Sequence, residues 1–267
     1  MLETESREST SELRQEAQLA EAVRGGRSAT TPDAPIVARV VRRYRARVFQ
    51  GYVIAATVGF AVLLILARHA AYFSFDVSIA QFVQSWHALW LDVVMFAVSG
   101  LGFNPLAWVF VVSTILFVYV VGLKWEATML LFAGVGVGLL SDGVKIIVQR
   151  QRPTPDLVNV FSPLADYSFP SGHVMLFTVF LGFLLFLVYT LTPRSPMRTC
   201  GLCLLAALIA LVGVSRVYLG QHWPSDVIGA YLLGSLWLAL TIYVYRKGKS
   251  RFFAHQPLAP GKPVAVE

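Results

Sequence analysis

The stretch Ser215-Arg216-Val217-Tyr218-Leu219-Gly220-Gln221-His222-Trp223-Pro224-Ser225-Asp226 lies between two long apolar runs in which charged residues are rare. A guanidinium, an imidazole and a carboxylate at membrane depth are costly unless they neutralise one another or take part in chemistry. His222 and Asp226 are four positions apart, so a helical turn puts the carboxylate on the same face as the ring. An Asp in that place can accept the proton of one ring nitrogen and leave the lone pair of the other free to attack.

Two more blocks carry charge in an apolar setting: Lys145-Ile146-Ile147-Val148-Gln149-Arg150-Gln151-Arg152-Pro153 and Pro170-Ser171-Gly172-His173. Gathered at one point, Lys145, Arg152 and Arg216 make a trap for a dianion, because arginine offers a planar fork of donors and lysine a compact charge. Ser171 and Gly172, at the opening of a helix, can add backbone N–H donors. Read together, the blocks follow the pattern Lys, six residues, Arg-Pro; Pro-Ser-Gly-His; Ser-Arg, five residues, His, three residues, Asp. That pattern resembles the signature of the type 2 phosphatidic acid phosphatase superfamily, which comprises integral-membrane lipid phosphatases and soluble vanadium haloperoxidases. The resemblance covers roughly residues 50–246. It implies that His222 is the nucleophile and forms a phosphohistidine, that Asp226 orients it, and that His173 protonates the leaving oxygen. It also implies that Lys145, Arg152, Ser171, Gly172 and Arg216 bind the phosphate, with no cofactor. Ser215 receives no role. Arg150 is an extra cation that either supports the site or contacts a headgroup.

Composition decides between the branches. Of 267 residues, 56% are hydrophobic and 14% charged, and the mean hydropathy is +0.64. The surface of a soluble domain of this length needs more charge. Several apolar runs reach the roughly 20 residues that span a bilayer core, which disfavours the soluble branch. The net charge of +7 does not point to nucleic acid, because the basic residues flank the apolar runs. Arg39, Arg42, Arg43, Arg45 and Arg47 precede the first run, and Arg246, Lys247, Lys249 and Arg251 follow the last. Such clusters orient a protein in a membrane and bind headgroups.

The predicted fold is an all-α polytopic membrane bundle of six transmembrane spans. They cover residues 51–67, 105–121, 127–148, the second block to 191, 202–217 and 225–245. Residues 77–91, with Trp86, His87 and Trp90, are predicted to form an interfacial helix that Asp76 caps. The domain layout is a disordered tail over 1–38, the membrane phosphatase domain over 39–250 and a second tail over 251–267. The N-terminal tail has no secretory-signal pattern and is expected to be retained. Gly134 and Gly138 read as a small-residue face for a neighbouring helix, and Asp142 as the local partner of Lys145. Cys200 and Cys203 read as small apolar packing residues; His69 and His87 read as interface residues, and His255 falls in the tail.

Lys124, Arg194 and Arg198 fall on the same side as the terminal basic clusters, whereas residues 70–103 contain no Lys or Arg. Both termini are therefore expected in the cytoplasm and the three blocks at the extracytoplasmic surface of the plasma membrane. The expected partners are a lipid phosphate and the bilayer, with no nucleic acid. A rival two-His, one-carboxylate metal site built from His173, His222 and Asp226 is disfavoured, because three fixed cations repel a divalent ion and attract a phosphate. A membrane carrier or scaffold would need the cations but not His222, His173 and Asp226. The expected function is hydrolysis of a lipid phosphomonoester or pyrophosphate, of the undecaprenyl pyrophosphate, phosphatidylglycerophosphate or phosphatidate type.

Overall fold

A computed structural model describes residues 34–86 and 88–252. The described backbone is helical and contains no strand. In chain order the helices are α1 (Ala34–His69), α2 (Ser74–Gln84), α3 (Leu89–Gly100), α4 (Leu106–Val120), α5 (Lys124–Val148), α6 (Gly172–Leu191), α7 (Pro196–Tyr218) and α8 (Pro224–Phe252). The chain divides into two compact units, Met1–Val53 and Ile54–Glu267. In the first, the described residues form the opening part of α1, which begins at Ala34, inside the segment predicted as a tail. The rest of that tail, His87, His255 and the C-terminal tail beyond Phe252 lie outside the described residues.

Helices α1, α5, α6, α7 and α8 are long and apolar enough to cross a membrane. The remaining predicted span is helical only over Leu106–Val120, 15 residues. At 1.5 Å per residue this is about 22 Å, against a hydrocarbon core of about 30 Å. It still leads from one end of the second unit to the other. Phe103, just before α4, packs its ring edge-on against His173 at 4.6 Å. Just after α4, Glu126 pairs with Lys249 at 2.6 Å and Trp125 Nε1 donates to the Tyr245 carbonyl at 3.2 Å.

The interfacial helix predicted over 77–91 is instead two helices, α2 and α3, with a break between them. The break has local and tertiary causes. Ser85 turns its hydroxyl back to the Phe82 carbonyl at 2.7 Å, which closes α2. Gln84 is buried and spends its amide on the carbonyls of Asn159 (2.7 Å) and Tyr218 (2.9 Å).

Helix α6 forms the centre of the second unit. Val174, Met175, Val179, Phe180 and Phe183 are buried in the main core with Leu130 and Ala133 of α5, Val212 of α7 and Ala230 of α8. A helix buried on most of its circumference has to be apolar nearly all round, and the sequence from Val174 to Leu191 is. One π-helical turn, Phe177–Leu181, interrupts α6 just after His173. Of the predicted pair, Gly134 lies against Val111 of α4 and Phe180 of α6, where a methyl group would make ordinary contacts at 3.8 and 3.9 Å; the close approach of α5 to α8 occurs instead at Gly136. A methyl group on Gly136 would run into the Trp237 ring, whereas one on Gly138 would meet nothing within 4 Å. The indole is held there by stacking on Phe132 at 5.0 Å and by donating Nε1–H to the Ala133 carbonyl at 3.3 Å.

Candidate active site

Four helix ends meet where the three sequence blocks lie. Helix α5 ends at Gln149, whose left-handed backbone (φ 54°) turns its N–H to the Lys145 carbonyl at 2.9 Å and starts the loop bearing Arg150 and Arg152. Helix α6 opens on Gly172 and His173. Helix α7 delivers Arg216 in its last turn, and Asp226 lies in the first turn of α8. Between α7 and α8 the chain reverses at Gly220, where φ is +64° and a Cβ would collide with the Asn159 carbonyl oxygen. The N–H groups of Gln221 and His222 then return to the Arg216 carbonyl at 3.0 and 3.3 Å, which fixes His222 beside the end of α7.

His222 is 2% exposed. Its Nδ1 lies 2.8 Å from the Ser168 carbonyl oxygen, which can only accept, so Nδ1 carries the ring proton. The lone pair is left on Nε2, which faces Arg152 Nη1 at 3.1 Å. Burial holds the imidazole well below the usual histidine range, and the charges of Arg152, Arg216 and Lys145 add to this; the Ser168 bond opposes it only in part. The ring is therefore neutral at pH 7, the state a nucleophile needs.

Asp226 does not take the ring proton itself. Its Oδ2 is 3.6 Å from Nδ1, and the carboxylate is occupied by Ser168 Oγ–H (2.5 Å), the Trp223 N–H (2.8 Å) and Arg150 Nη1 (2.7 Å). The reason lies in the first turn of α8, where an Asp three residues after Trp223 satisfies a backbone N–H that has no partner in the helix. Asp226 thus acts on His222 through Ser168.

Arg150 is 2% exposed, which leaves it almost no surface to offer a headgroup. Besides Asp226 it pairs with Asp76 through Nη2 at 2.9 Å, donates Nη1–H to Ser225 Oγ at 2.7 Å and lies over the Phe73 ring at 4.8 Å. Its Nε points to the carbonyls of Ala70 and Ala71 at 3.3 and 3.1 Å. Asp76 does not precede a helix opening at Val77, as the sequence reading has it: α2 opens at Ser74, and Asp76, in its first turn, reaches back to accept the Phe73 N–H at 3.1 Å and also accepts from the Ser225 N–H (2.8 Å) and Oγ–H (2.7 Å).

The phosphate-binding candidates differ in how far their donors are already used. Arg216 is fully buried, gives Nη1–H to Ser99 Oγ at 2.5 Å and stands over the Phe103 ring at 4.9 Å. Its Nε and Nη2, together with Ser171 Oγ, His173 Nε2 and Gln221 Oε1, are buried without a hydrogen-bond partner. Native proteins leave few such groups unpaired; the Gln221 amide oxygen can only accept, whereas the Arg216 N–H groups and the Ser171 hydroxyl are donors that suit an anion. The Ser171 N–H, expected to face a phosphate, points to the Asp226 carbonyl at 3.4 Å; Gly172, first in α6, has no intrahelical partner for its own N–H. Lys145 pairs with Asp166 rather than with Asp142, and Arg152 holds the other oxygen of the same carboxylate at 2.7 Å. Ser215 turns its hydroxyl to the Val212 carbonyl at 2.8 Å and stays within its own helix. Among the described residues no group of three His, Cys, Asp or Glu side chains is placed to hold a metal ion.

Sequence reasoning missed Asp166, Ser168 and Gly102, whose backbone lies so close to the His173 ring that a Cβ would overlap it. A position two residues before the Pro-Ser-Gly-His block was the available pointer to Ser168. Neither Asp166 nor Gly102 had one.

A family model described as the PAP2 superfamily matches residues 107–250. Phosphatidylglycerophosphatase B of Bacillus subtilis (strain 168) is 31% identical over 184 residues, which span 66% of this chain and 87% of that protein. The crystal structure of a transmembrane PAP2-type phosphatidylglycerolphosphate phosphatase from Bacillus subtilis superposes with a TM-score of 0.64 at 26% identity, covering 73% of this chain and 96% of that one. LpxE of Aquifex aeolicus shares the fold with a TM-score of 0.53 at 21% identity, over 64% of this chain and 96% of its own.

The burial of Arg150 has a measurable consequence. Arg150→Met would leave two carboxylates, Asp76 and Asp226, buried without their cation. Removing one partner of a buried pair costs about 3–5 kcal/mol, whereas a surface substitution stays within about 0.5 kcal/mol. Thermal unfolding in detergent is expected to show the larger loss. An unchanged melting temperature would return Arg150 to the role of a headgroup contact.

Proposed function

The chain belongs to the PAP2 superfamily and is a membrane lipid phosphatase, and from that premise we propose that it removes the phosphoryl group through a covalent intermediate on His222. The observation that carries this reading is the state of the His222 ring: Nδ1–H is tied to the Ser168 carbonyl, and the Nε2 lone pair faces the Arg152 fork. In the first step Nε2 attacks phosphorus and the bond from phosphorus to the leaving oxygen breaks, while His173 gives that oxygen a proton. In the second, His173 takes a proton from water, the hydroxide oxygen bonds to phosphorus, and the N–P bond breaks to release phosphate. Lys145, Arg152 and Arg216 supply the charge that the phosphoryl oxygens need, so the reaction is proposed to require no metal. The first step demands that His173 carry the proton it gives to the leaving oxygen.

An apolar cavity of about 190 Å³ supports a lipid leaving group. It is lined by Leu101, Phe110, Leu176, Phe180, Leu205 and Leu208, and Leu176 lies one turn along α6 from His173. A 150 Å³ engineered cavity of the same character accepts benzene, so the space suits part of a hydrocarbon chain. Among undecaprenyl pyrophosphate, phosphatidylglycerophosphate and phosphatidate, the names of the similar proteins favour phosphatidylglycerophosphate as the substrate. The site is proposed to face the extracytoplasmic surface, with both termini in the cytoplasm. Support comes from Lys124, Arg194, Arg198, Arg246, Lys247 and Arg251, which lie at or beyond the helix ends opposite those that bear the three blocks.

Two experiments test the proposal. In assays with excess chelator, His222→Ala is expected to form no acid-labile phosphoenzyme in rapid-quench trapping. His173→Ala should slow phosphoenzyme formation by about 10²–10⁴-fold from an alkyl phosphate and far less from an aryl phosphate, whose anion leaves unaided. Phosphoenzyme on His222→Ala, equal losses on both leaving groups, or activity that returns only with a divalent ion would contradict the assigned roles. For topology, Ala165→Cys placed in a variant with Cys200 and Cys203 replaced by Ser should react with an impermeant thiol reagent in intact cells; reaction only after lysis would reverse the orientation.

A further inference from the structure

The loop before α6 places a carboxylate on the phosphate-binding cations. Asp166 pairs with Lys145 Nζ through Oδ2 and with Arg152 Nη2 through Oδ1 at 2.7 Å, and its main-chain carbonyl accepts Arg152 Nε–H at 2.9 Å. Arg152 Nη1 is directed at the Gln221 carbonyl (2.5 Å) and at His222 Nε2 (3.1 Å). Every edge of the Arg152 fork therefore has a partner, two of them from Asp166. A phosphoryl oxygen that is to bind the Arg152 fork has to displace this carboxylate, on which Lys145 also spends one of its three N–H donors. Across the site the situation is the reverse, since Arg216 Nε and Nη2 and Ser171 Oγ are buried with no partner. Burial pushes the Asp166 carboxyl up, but the Lys145 bond and the charges of Arg152 and Lys145 outweigh it and hold the group down at about 2. The side chain is 53% exposed, so it can leave the cations for water without being trapped in the interior.

We propose that Asp166 determines specificity: it is a built-in counter-anion that a phosphomonoester dianion displaces from Lys145 and Arg152 and that a phosphodiester monoanion does not. This rests on the reading of the site as a lipid phosphatase. The physical basis is a charge exchange. A phosphodiester headgroup carries one negative charge, the same as the carboxylate, so its entry replaces one ion pair by another and gains nothing. A monoester carries about −1.5 to −2 near pH 7, so the exchange leaves the two cations better neutralised. The distinction matters because a membrane enzyme is surrounded by anionic phosphodiester lipids at far higher concentration than its substrate. Rejecting them by a competing like charge is specificity achieved against the wrong ligand. Asp166→Asn removes the competitor while keeping its shape, and Asp166→Glu keeps the charge.

The test uses the full chain in mixed micelles with a lipid phosphomonoester as substrate and dioleoyl phosphatidylglycerol as inhibitor. Wild type and Asp166→Glu are expected to show the same weak inhibition, and Asp166→Asn an inhibition constant lower by about five- to tenfold. A merely structural role would change the melting temperature and kcat without moving this constant. Equal inhibition of wild type and a folded Asp166→Asn overturns the proposal. A second measurement needs no substitution and no turnover: hydrogen exchange of residues 162–168 in the wild type. Inorganic phosphate should speed exchange there as the carboxylate is released, and phosphatidylglycerol should not. Unchanged exchange at the highest phosphate concentration, or an equal response to both probes, also overturns it. A wild type that releases phosphate from no lipid phosphomonoester instead defeats the phosphatase reading, and the exchange experiment then decides on Asp166 alone.

Discussion

A single guanidinium sets the geometry of this site. Arg150 has no exposed side-chain surface and lies between the equally buried carboxylates of Asp76 and Asp226. Each ion taken out of water costs several kcal/mol, and only a well-formed set of charged hydrogen bonds recovers it. Arg150 reaches that condition by using Nε, Nη1 and Nη2 on partners from three separate segments: the Ala70–Ala71 carbonyls, Asp76 of α2, and Ser225 with Asp226 of α8. A lysine offers a point charge and three donors on one atom, and it could not reach all three segments. The start of α8 is thereby fixed against α2 and the end of α1.

Chemistry follows from that fixation in two steps. With one oxygen on Arg150 and the other on Ser168 and the Trp223 N–H, Asp226 has no lone pair directed at the His222 ring. It steers Ser168 instead, and the Ser168 carbonyl sets the tautomer of His222. Asp226 stays paired with Arg150, which it shares with Asp76, while burial, helped by the charges of Arg152, Arg216 and Lys145, keeps the His222 ring unprotonated. The site thus separates two groups of cations. Arg150 faces inward to the carboxylates of Asp76 and Asp226, and Arg152, Arg216 and Lys145 act on the His222 ring.

Much of this could be read before any coordinates, and the reason is cost. A charged residue in an apolar chain needs a partner, so Lys145, Arg152, His173, Arg216, His222 and Asp226 stood out from their surroundings, and the spacing of the three blocks did the rest. The parts that escaped are those whose meaning depends on distant chain. Asp76 looked like the residue that opens a helix at Val77; it sits instead in the first turn of α2, and its partner Arg150 lies 74 positions away. Asp142 looked like the natural mate for Lys145 at helical spacing, yet it lies at the exposed surface while Asp166 reaches in from a loop. Gly136 could not be told from Gly134 and Gly138 without knowing where Trp237 would fall. The break between α2 and α3 has a local part in Ser85, but it also depends on Gln84 bonding to carbonyls of two remote segments, and that part has no local trace.

The proposed catalysis turns on which nitrogen of which histidine meets phosphorus. The direct measurement is to trap the phosphoenzyme by rapid quench at alkaline pH, from protein labelled with ¹⁵N in histidine, and to read the phosphorus–nitrogen coupling by NMR on the isolated peptide. Because Nδ1 is bound to the Ser168 carbonyl, the phosphoryl group is predicted on Nε2 of His222. Phosphorus on Nδ1, on any other residue, or on no residue of an enzyme that still releases phosphate would contradict the account.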